Sequence, residues 1–280
     1  MKITEALRYT NDYGDSLYFS YTSALQPIGF ADTMDVNFYT SKNALEDGES
    51  VEGKDLEPRS LIVTAEFKVG NQYKELERRI RKTFNPKIGG VLALTDGNDT
   101  KEIYVQVDGI PEFKYKRTVG TVVINLIAYG SYWQKAKVTE QLAYLTPGLM
   151  FPQYFTGGMI FGKKTSQLVS VIKNIGDADC GSLINLKATG GSIRNPFVRS
   201  NKTGQAIKFS VAMEKNDVLT IDYMAAQPVI YRNGVKNFGI LDAVESEFFK
   251  LLVGDNELEY GAEVNAANLT VSLSYKPLML

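Results

Sequence analysis

Histidine is absent from the 280 residues. Its absence excludes Ser-His-Asp and Cys-His catalytic arrangements, His-ligated zinc and the imidazole as a general base. Cysteine is reduced to Cys180. One thiol makes no intrachain disulfide, no CxxC pair and no thiolate cluster for a metal, and it fits a reducing compartment without requiring one. Neither sign of charge is in excess: 31 basic side chains face 32 acidic ones for a formal net charge of -1. The molecule as a whole therefore has no strong attraction to polyanions or to an anionic membrane. The opening MKITEALRYTNDYG holds no continuous apolar stretch of the signal-peptide kind. The longest charge-free run, QLAYLTPGLMFPQYFTGGMIFG at 141–162, could span a bilayer by length, but Pro147, Pro152 and four glycines break any continuous helix. It reads as an apolar, partly buried linker, and no membrane span is expected.

What is present is strand. In RSLIVTAEFKV, Leu61, Val63, Ala65 and Phe67 alternate with Thr64, Glu66 and Lys68, the period of a half-buried strand. The same period returns in Ile103, Val105 and Val107, and in Val122, Ile124, Leu126 and Ala128. Past residue 165 it continues through LINLKAT, AIKFSV, DVLTID and NLTVSLSY, punctuated by Asn-Gly, Gly-Gly and Gly-Asp turns. Short strands at this spacing predict a mainly β chain of two antiparallel sandwiches. The periodicity lapses between 134 and 166, which divides the chain into domains at 1–138 and 139–280.

One helix is predicted, over 71–84. Asn71 is its expected N-cap, and Tyr73, Leu76, Ile80 and Phe84 follow steps of three or four and form one apolar stripe. Five cations fall within 74–82, two of them offset by Glu75 four residues before Arg79 and Glu77 four before Arg81. Asn85-Pro86 ends the helix. With the stripe on a sheet, this basic face is solvated or meets protein, and specific nucleic-acid binding is not expected. Upstream, LEDGESVEGKDLEP at 45–58 carries six carboxylates against Lys54 and reads as a long exposed acidic loop. The two patches are complementary. Glu46, Asp47, Glu49 and Glu52 facing Arg78, Arg79, Arg81 and Lys82 of a neighbouring copy could repeat head to tail until a ring closes. In the linker, Leu149, Met150, Phe151, Phe155, Met159 and Phe161 are too apolar to hang free and are expected to pack against a sandwich or a partner.

Local catalytic motifs fail on spacing. In FTGGMIFGKKTS an extra lysine separates Gly162-Lys163 from Thr165, so no phosphate loop forms. VGDNELEYGAE and NIGDADCG lack calcium-loop spacing and are turn chemistry. Trp133, the only tryptophan, falls at a strand end and is expected to be buried rather than to stack on a sugar; Tyr223, Tyr231 and Phe238 are the C-terminal aromatic candidates for that role. No cofactor, metal or enzymatic role is expected.

Taken in order, NDYGDSLYF, the Asp47-Gly48 loop, RSLIVTAEF, FNPKIGGVL, VDGIPEFKY, INLIAYGSYW, GLMFPQYF, IKNIGDADCGSLI, NPFVRSNKTGQAIKF, DVLTIDY, YRNGVKN and LSYKPLML resemble the distal tail protein family of long-tailed phages and prophages. That resemblance covers most of the chain. It implies an N-terminal sandwich with one helix that forms a hexameric ring, and a C-terminal sandwich similar to galectin-like carbohydrate-binding modules. It also implies a non-enzymatic hub at the virion tail tip, assembled in the host cytoplasm, joining the tail tube protein to the tail-associated lysin, with DNA leaving through the ring. Gly130-Ser131 before Tyr132-Trp133 departs from the family pattern, and no insertion for receptor-binding proteins is visible. The alternative is a carbohydrate-binding adhesin contacting cell-wall sugars.

Overall fold

The protein is seen as a computed structural model, and the described residues are 6–42, 47–70, 72–142, 144–146, 163–165, 169–224 and 227–280. They form two compact units, Met1–Lys135 and Ala136–Met279. The architecture is mainly β and antiparallel.

The first unit contains β1 (Ala6–Asn11), β2 (Ser16–Phe19), β3 (Gln26–Thr33), β4 (Val36–Ser41), β5 (Ser50–Leu56), β6 (Arg59–Lys68), α1 (Tyr73–Thr83), β7 (Gly90–Asp96), β8 (Asp99–Val107), β9 (Glu112–Lys116), β10 (Val119–Ala128) and β11 (Trp133–Lys135). The main strands run β2-β1-β7-β8-β10-β6-β3, with β9 on β10 and β11 on β8. β8 links the two halves: Asp99 to Val105 pair with β7, while Gln106 and Val107 pair with β10. The period of two fixes which side chains enter the core. Leu61, Val63, Ala65 and Phe67 are buried, as are Ile103, Val105 and Val107, and Val122, Ile124, Leu126 and Ala128. A one-residue slip of β6 against β10 would turn Leu61, Val63, Ala65 and Phe67 out of the core, so the ten-residue register is strongly specified.

The helix α1 covers β1 and β2. Ile80 and Phe84 are fully buried, Phe84 stacks on Tyr9 with ring centroids 4.2 Å apart, and Phe19 closes from the other side at 6.0 Å. Such a stack adds about 0.5–1.5 kcal/mol to the area buried. Two details differ from the sequence expectation. Gln72 holds the cap position without a side-chain hydrogen bond, and Asn71 lies outside the described residues. The buried stripe also turns toward the C-terminal end, where Thr83 is buried while Tyr73 and Leu76 remain half-exposed.

A second correction concerns 45–58. Residues 50–56 form β5, which pairs with β4 in a two-stranded sheet of its own, with a bulge between Tyr39 and Thr40. The segment is therefore largely an arm of strand, with a turn that includes Asp47, Gly48 and Glu49 and a short exit at Glu57 and Pro58. Gly48 takes φ +94, a conformation that a Cβ would strain. The carboxylates are spaced along a hairpin that has solvent on both faces, which is why no apolar alternation marks it.

The second unit contains β12 (Val138–Gln141), β13 (Tyr144–Thr146), β14 (Lys163–Thr165), β15 (Val169–Asn174), β16 (Ser182–Ala188), β17 (Ile193–Ser200), β18 (Ala206–Lys208), β19 (Ala212–Met213), β20 (Val218–Asp222), β21 (Val229–Arg232), β22 (Val235–Lys236), β23 (Gly254–Val264) and β24 (Leu269–Tyr275). One sheet runs β12-β24-β16-β20-β21-β22; the other runs β15-β23-β17-β18 with β19 beside β17. Their inner faces share one core, in which Ile184, Leu186, Leu219, Ile221, Val271 and Leu273 meet Ile172, Val198, Ile207, Leu258 and Tyr260. β13 and β14 form a separate pair. Asn233 and Gly234, at φ 51 and 80, make the two-residue turn of β21–β22 that Asn-Gly announces.

Candidate functional site

The cations of α1 are mostly committed within the first unit. Arg81 donates to Glu77 at 3.0 Å and lies over the Phe113 ring at 4.8 Å. Glu77 also accepts from the Tyr115 hydroxyl at 2.7 Å. That hydrogen bond, and then Arg81, hold the Glu77 carboxyl below its ordinary range, while burial and the same carboxylate push Tyr115 up to about 12. The helix is thus fastened to β9 by one polar cluster. On its other flank Lys82 pairs with Asp15 at 2.9 Å, and Arg79 donates to the Ser16 carbonyl at 3.2 Å. Arg79 takes this carbonyl in place of the expected pairing with Glu75. Lys74 and Arg78 stay exposed and, among the described residues, have no ion-pair partner.

On the arm, Asp47, Glu49, Glu52 and Asp55 are all exposed. Tyr39 donates to Asp55 at 3.1 Å and Ser41 to Glu52, which braces the hairpin across its strands. Phe38 and Val51 keep about 61 % of their surface and Val36 39 %. The arm thus presents exposed apolar side chains beside a row of carboxylates, outside the main sheet of its own unit. Glu46 lies outside the described residues, as do Leu149, Met150, Phe151, Phe155, Met159 and Phe161.

The aromatic residues divide. Trp133 is fully buried, donates to Asp32 at 2.9 Å and lies under the Lys101 ammonium at 4.9 Å, as its position at a strand end predicts. The Gly130-Ser131 step before it brings the Ser131 carbonyl within 3.1 Å of the Arg59 guanidinium. Tyr223 packs on Phe248 with centroids at 6.0 Å and Tyr231 is half-buried, whereas Phe238, with the Lys236 ammonium 5.6 Å from its ring, stays exposed. Cys180 is buried, and desolvation raises its thiol to about 11, far from nucleophilic use at neutral pH. Asn174 folds its own loop by donating to Ala178 and Leu251 while accepting from Gly176, which is turn chemistry. Among the described residues no three Asp, Glu, Cys or His side chains gather as metal ligands, and no helix is long and apolar enough to cross a membrane.

Residues 175–278 match the family described as siphovirus-type tail component, C-terminal domain. The match lies within the second unit, and the likeness to solved structures shows the fold of the whole chain. The Dit (gp 19.1) protein of phage SPP1, described as a paradigm of the hub adsorption apparatus of phages infecting Gram-positive bacteria, superposes with a TM-score of 0.71 at 13 % identity, over 98 % of this chain and 99 % of that one. Chains of the phage p2 baseplate in its activated conformation are also similar. The calcium form gives 0.51 at 11 % identity over 98 % and 97 % of the chains, and the strontium form 0.50 at 11 % over 97 % of each. No curated protein is similar enough in sequence to match.

Proposed function

We propose that this chain is the hub subunit of a phage or prophage tail tip. Six copies close into a ring that joins the tail tube to the tail-associated lysin, with no catalytic role, and DNA passes through the ring without specific binding. The observation that carries the reading is the fold shared with the SPP1 hub protein along nearly the whole of both chains, together with the family match in the second unit. The first unit supplies a local means of assembly. An exposed arm bearing Asp47, Glu49 and Glu52 and a helix whose Lys74 and Arg78 form no ion pair among the described residues are complementary patches on one chain, the requirement for a heterologous contact that repeats to closure. Arg79, Arg81 and Lys82 serve first to hold the helix, so Arg78 leads the contact.

The subunit works in the virion tail and assembles in the host cytoplasm with the tube protein and the lysin. Light scattering and negative-stain microscopy of the chain mixed with the tail-associated protein test the ring. Six copies of the 31.1 kDa chain contribute about 187 kDa before the partner's mass. A chain that stays monomeric at high concentration with that partner present overturns the reading.

A further inference from the structure

The arm continues strands of the main sheet. β3 leads into β4 through Met34 and Asp35, and β5 returns to β6 through Glu57 and Pro58, so β3–β6 and β4–β5 are two lengths of one ribbon. Pairing lapses between them. From Thr33 opposite Ser60 to Val36 opposite Leu56, one strand has Met34 and Asp35 where the other has Glu57, Pro58 and Arg59, an inequality that bends a ribbon as a bulge does. Pro58 brings no N–H to this join, and the Glu57 amide bridges it by donating to the Asp35 carbonyl at 3.0 Å. Beyond the join the two strands form a sheet of their own, and no third strand sets their direction.

Side chains supply what the backbone lacks. Buried Arg59 reaches three segments at once. Its Nη1 donates to both carboxylate oxygens of Asp32 on β3, its Nη2 lies 3.8 Å from the Met34 sulfur inside the join, and its Nε donates to the Ser131 carbonyl in the loop before β11. The Ser131 hydroxyl in turn donates to the Glu57 carbonyl at 3.4 Å. Both strands of the join are thereby tied to a loop whose next strand, β11, pairs with β8 in the body of the sheet. The planar fork of a guanidinium covers these three directions together, and a lysine ammonium does not.

We propose that Arg59 is a positioning residue that latches the arm in one direction, and that releasing it lets the arm swing about 34–35 and 57–58 while the sheet stays folded. An arm fixed before contact loses less freedom when a neighbour takes it, which favours assembly. That consequence rests on the reading of the arm as the contact between copies, whereas the latch is a property of the single chain.

The test places donor and acceptor dyes on the full chain at Glu49→Cys in the turn of the arm and Lys114→Cys on β9, both exposed, while Cys180 is buried and stays unlabelled. A Lys87→Cys/Lys114→Cys pair reads the body alone. Donor decays at nanomolar concentration, without the tail-associated protein, give the distribution of distances on single chains. A latched arm should give one narrow distribution in the wild type and one at least about twofold wider in Arg59→Lys, with the body pair unchanged. Met34→Ala/Ser131→Ala removes the two side-chain contacts at the join and leaves Arg59 on Asp32. It should widen the arm distribution too, and it decides alone where circular dichroism shows that Arg59→Lys does not fold. An arm no wider in the folded variants than in the wild type, or arm and body widened together, overturns the latch. Neither outcome bears on whether six copies form a ring, and a chain that never assembles leaves the latch standing, so the two readings fail separately.

Discussion

Arg59 Nη1 is shared between both carboxylate oxygens of Asp32 at 2.8 Å each, and the second of those oxygens accepts the Trp133 indole at 2.9 Å. Arg59 keeps 5 % of its side-chain exposure and Asp32 23 %. Removing the carboxylate strands a buried guanidinium and an indole N–H together. Asp32→Ala should therefore lose about 3 kcal/mol, the low end for breaking a buried pair because the carboxylate is partly wet. Chemical denaturation measures the loss. The sole tryptophan provides a second readout, since its emission should shift to the red as β11 loosens. A loss below about 1 kcal/mol with unchanged emission would show that this pair does not hold the strand.

Tyr9 offers the opposite case. Its ring is fully buried against Phe84, but its hydroxyl has no hydrogen-bond partner among the described residues, and burial pushes its pKa up from 10.0 to about 12. A raised folded pKa means that the stability is fully present below pH 10 and is lost as pH climbs through 12, at up to about 1.4 kcal/mol per pH unit. Tyr9→Phe should gain about 1 kcal/mol at neutral pH by removing an unmatched polar group, and should flatten the alkaline decline of the first unit. Urea titrations at pH 7 and 11 test both. A variant less stable than wild type at pH 7 refutes the argument.

The strands of the two cores were readable because one face of each is buried, and burial writes a period of two into the chain; β6, β8 and β10 are the clearest instances. The arm was not, since VNFYTS and SVEGKDL have solvent on both sides and nothing selects alternation. Its carboxylates were visible, and its strand pairing was not. On α1 the spacing Glu77 to Arg81 named a real pair, whereas Arg79 found a backbone carbonyl on β2 that no local rule could supply. The latch of the arm was hidden for the same reason. Arg59, Asp32 and Ser131 come together only through the pairing of β3 with β6 and the return of the loop before β11.

The state of the helix cations bears on DNA. Arg81 and Lys82 are held by carboxylates and Arg79 by a carbonyl, which leaves Lys74 and Arg78 as the cations available to phosphate on this helix among the described residues. Two phosphate contacts give a salt slope of about 2 at most, far from the six to ten of proteins that bind duplex firmly. Fluorescence anisotropy at physiological salt should show no binding at micromolar concentration. Micromolar affinity that Arg78→Ala/Lys82→Ala abolishes would reverse this conclusion.

The contact between copies has a test that does not depend on knowing its geometry. If the arm of one subunit meets α1 of the next, reversing either charge set should weaken assembly, and reversing both should restore it. Asp47→Lys/Glu49→Lys lies in the exposed turn of the arm, away from the paired strand residues, and Arg78→Glu breaks no ion pair or hydrogen bond of the helix among the described residues, while Lys74→Ala/Arg78→Glu serves as a control that puts no new carboxylate beside Glu77. Each should therefore fold as wild type. Exposed pairs contribute up to about 1 kcal/mol apiece, so each reversal should cost about tenfold in the concentration for half-assembly, measured by light scattering with the tail-associated protein present. Raising salt from about 0.1 M to 1 M shortens the screening length from about 10 to 3 Å and should weaken the wild type in the same direction. Repulsion between like charges explains a loss in each single set; only attraction across the interface explains recovery when both are reversed. Single-set variants that assemble as wild type, or a combined variant no better than either, would remove the arm and helix from the interface.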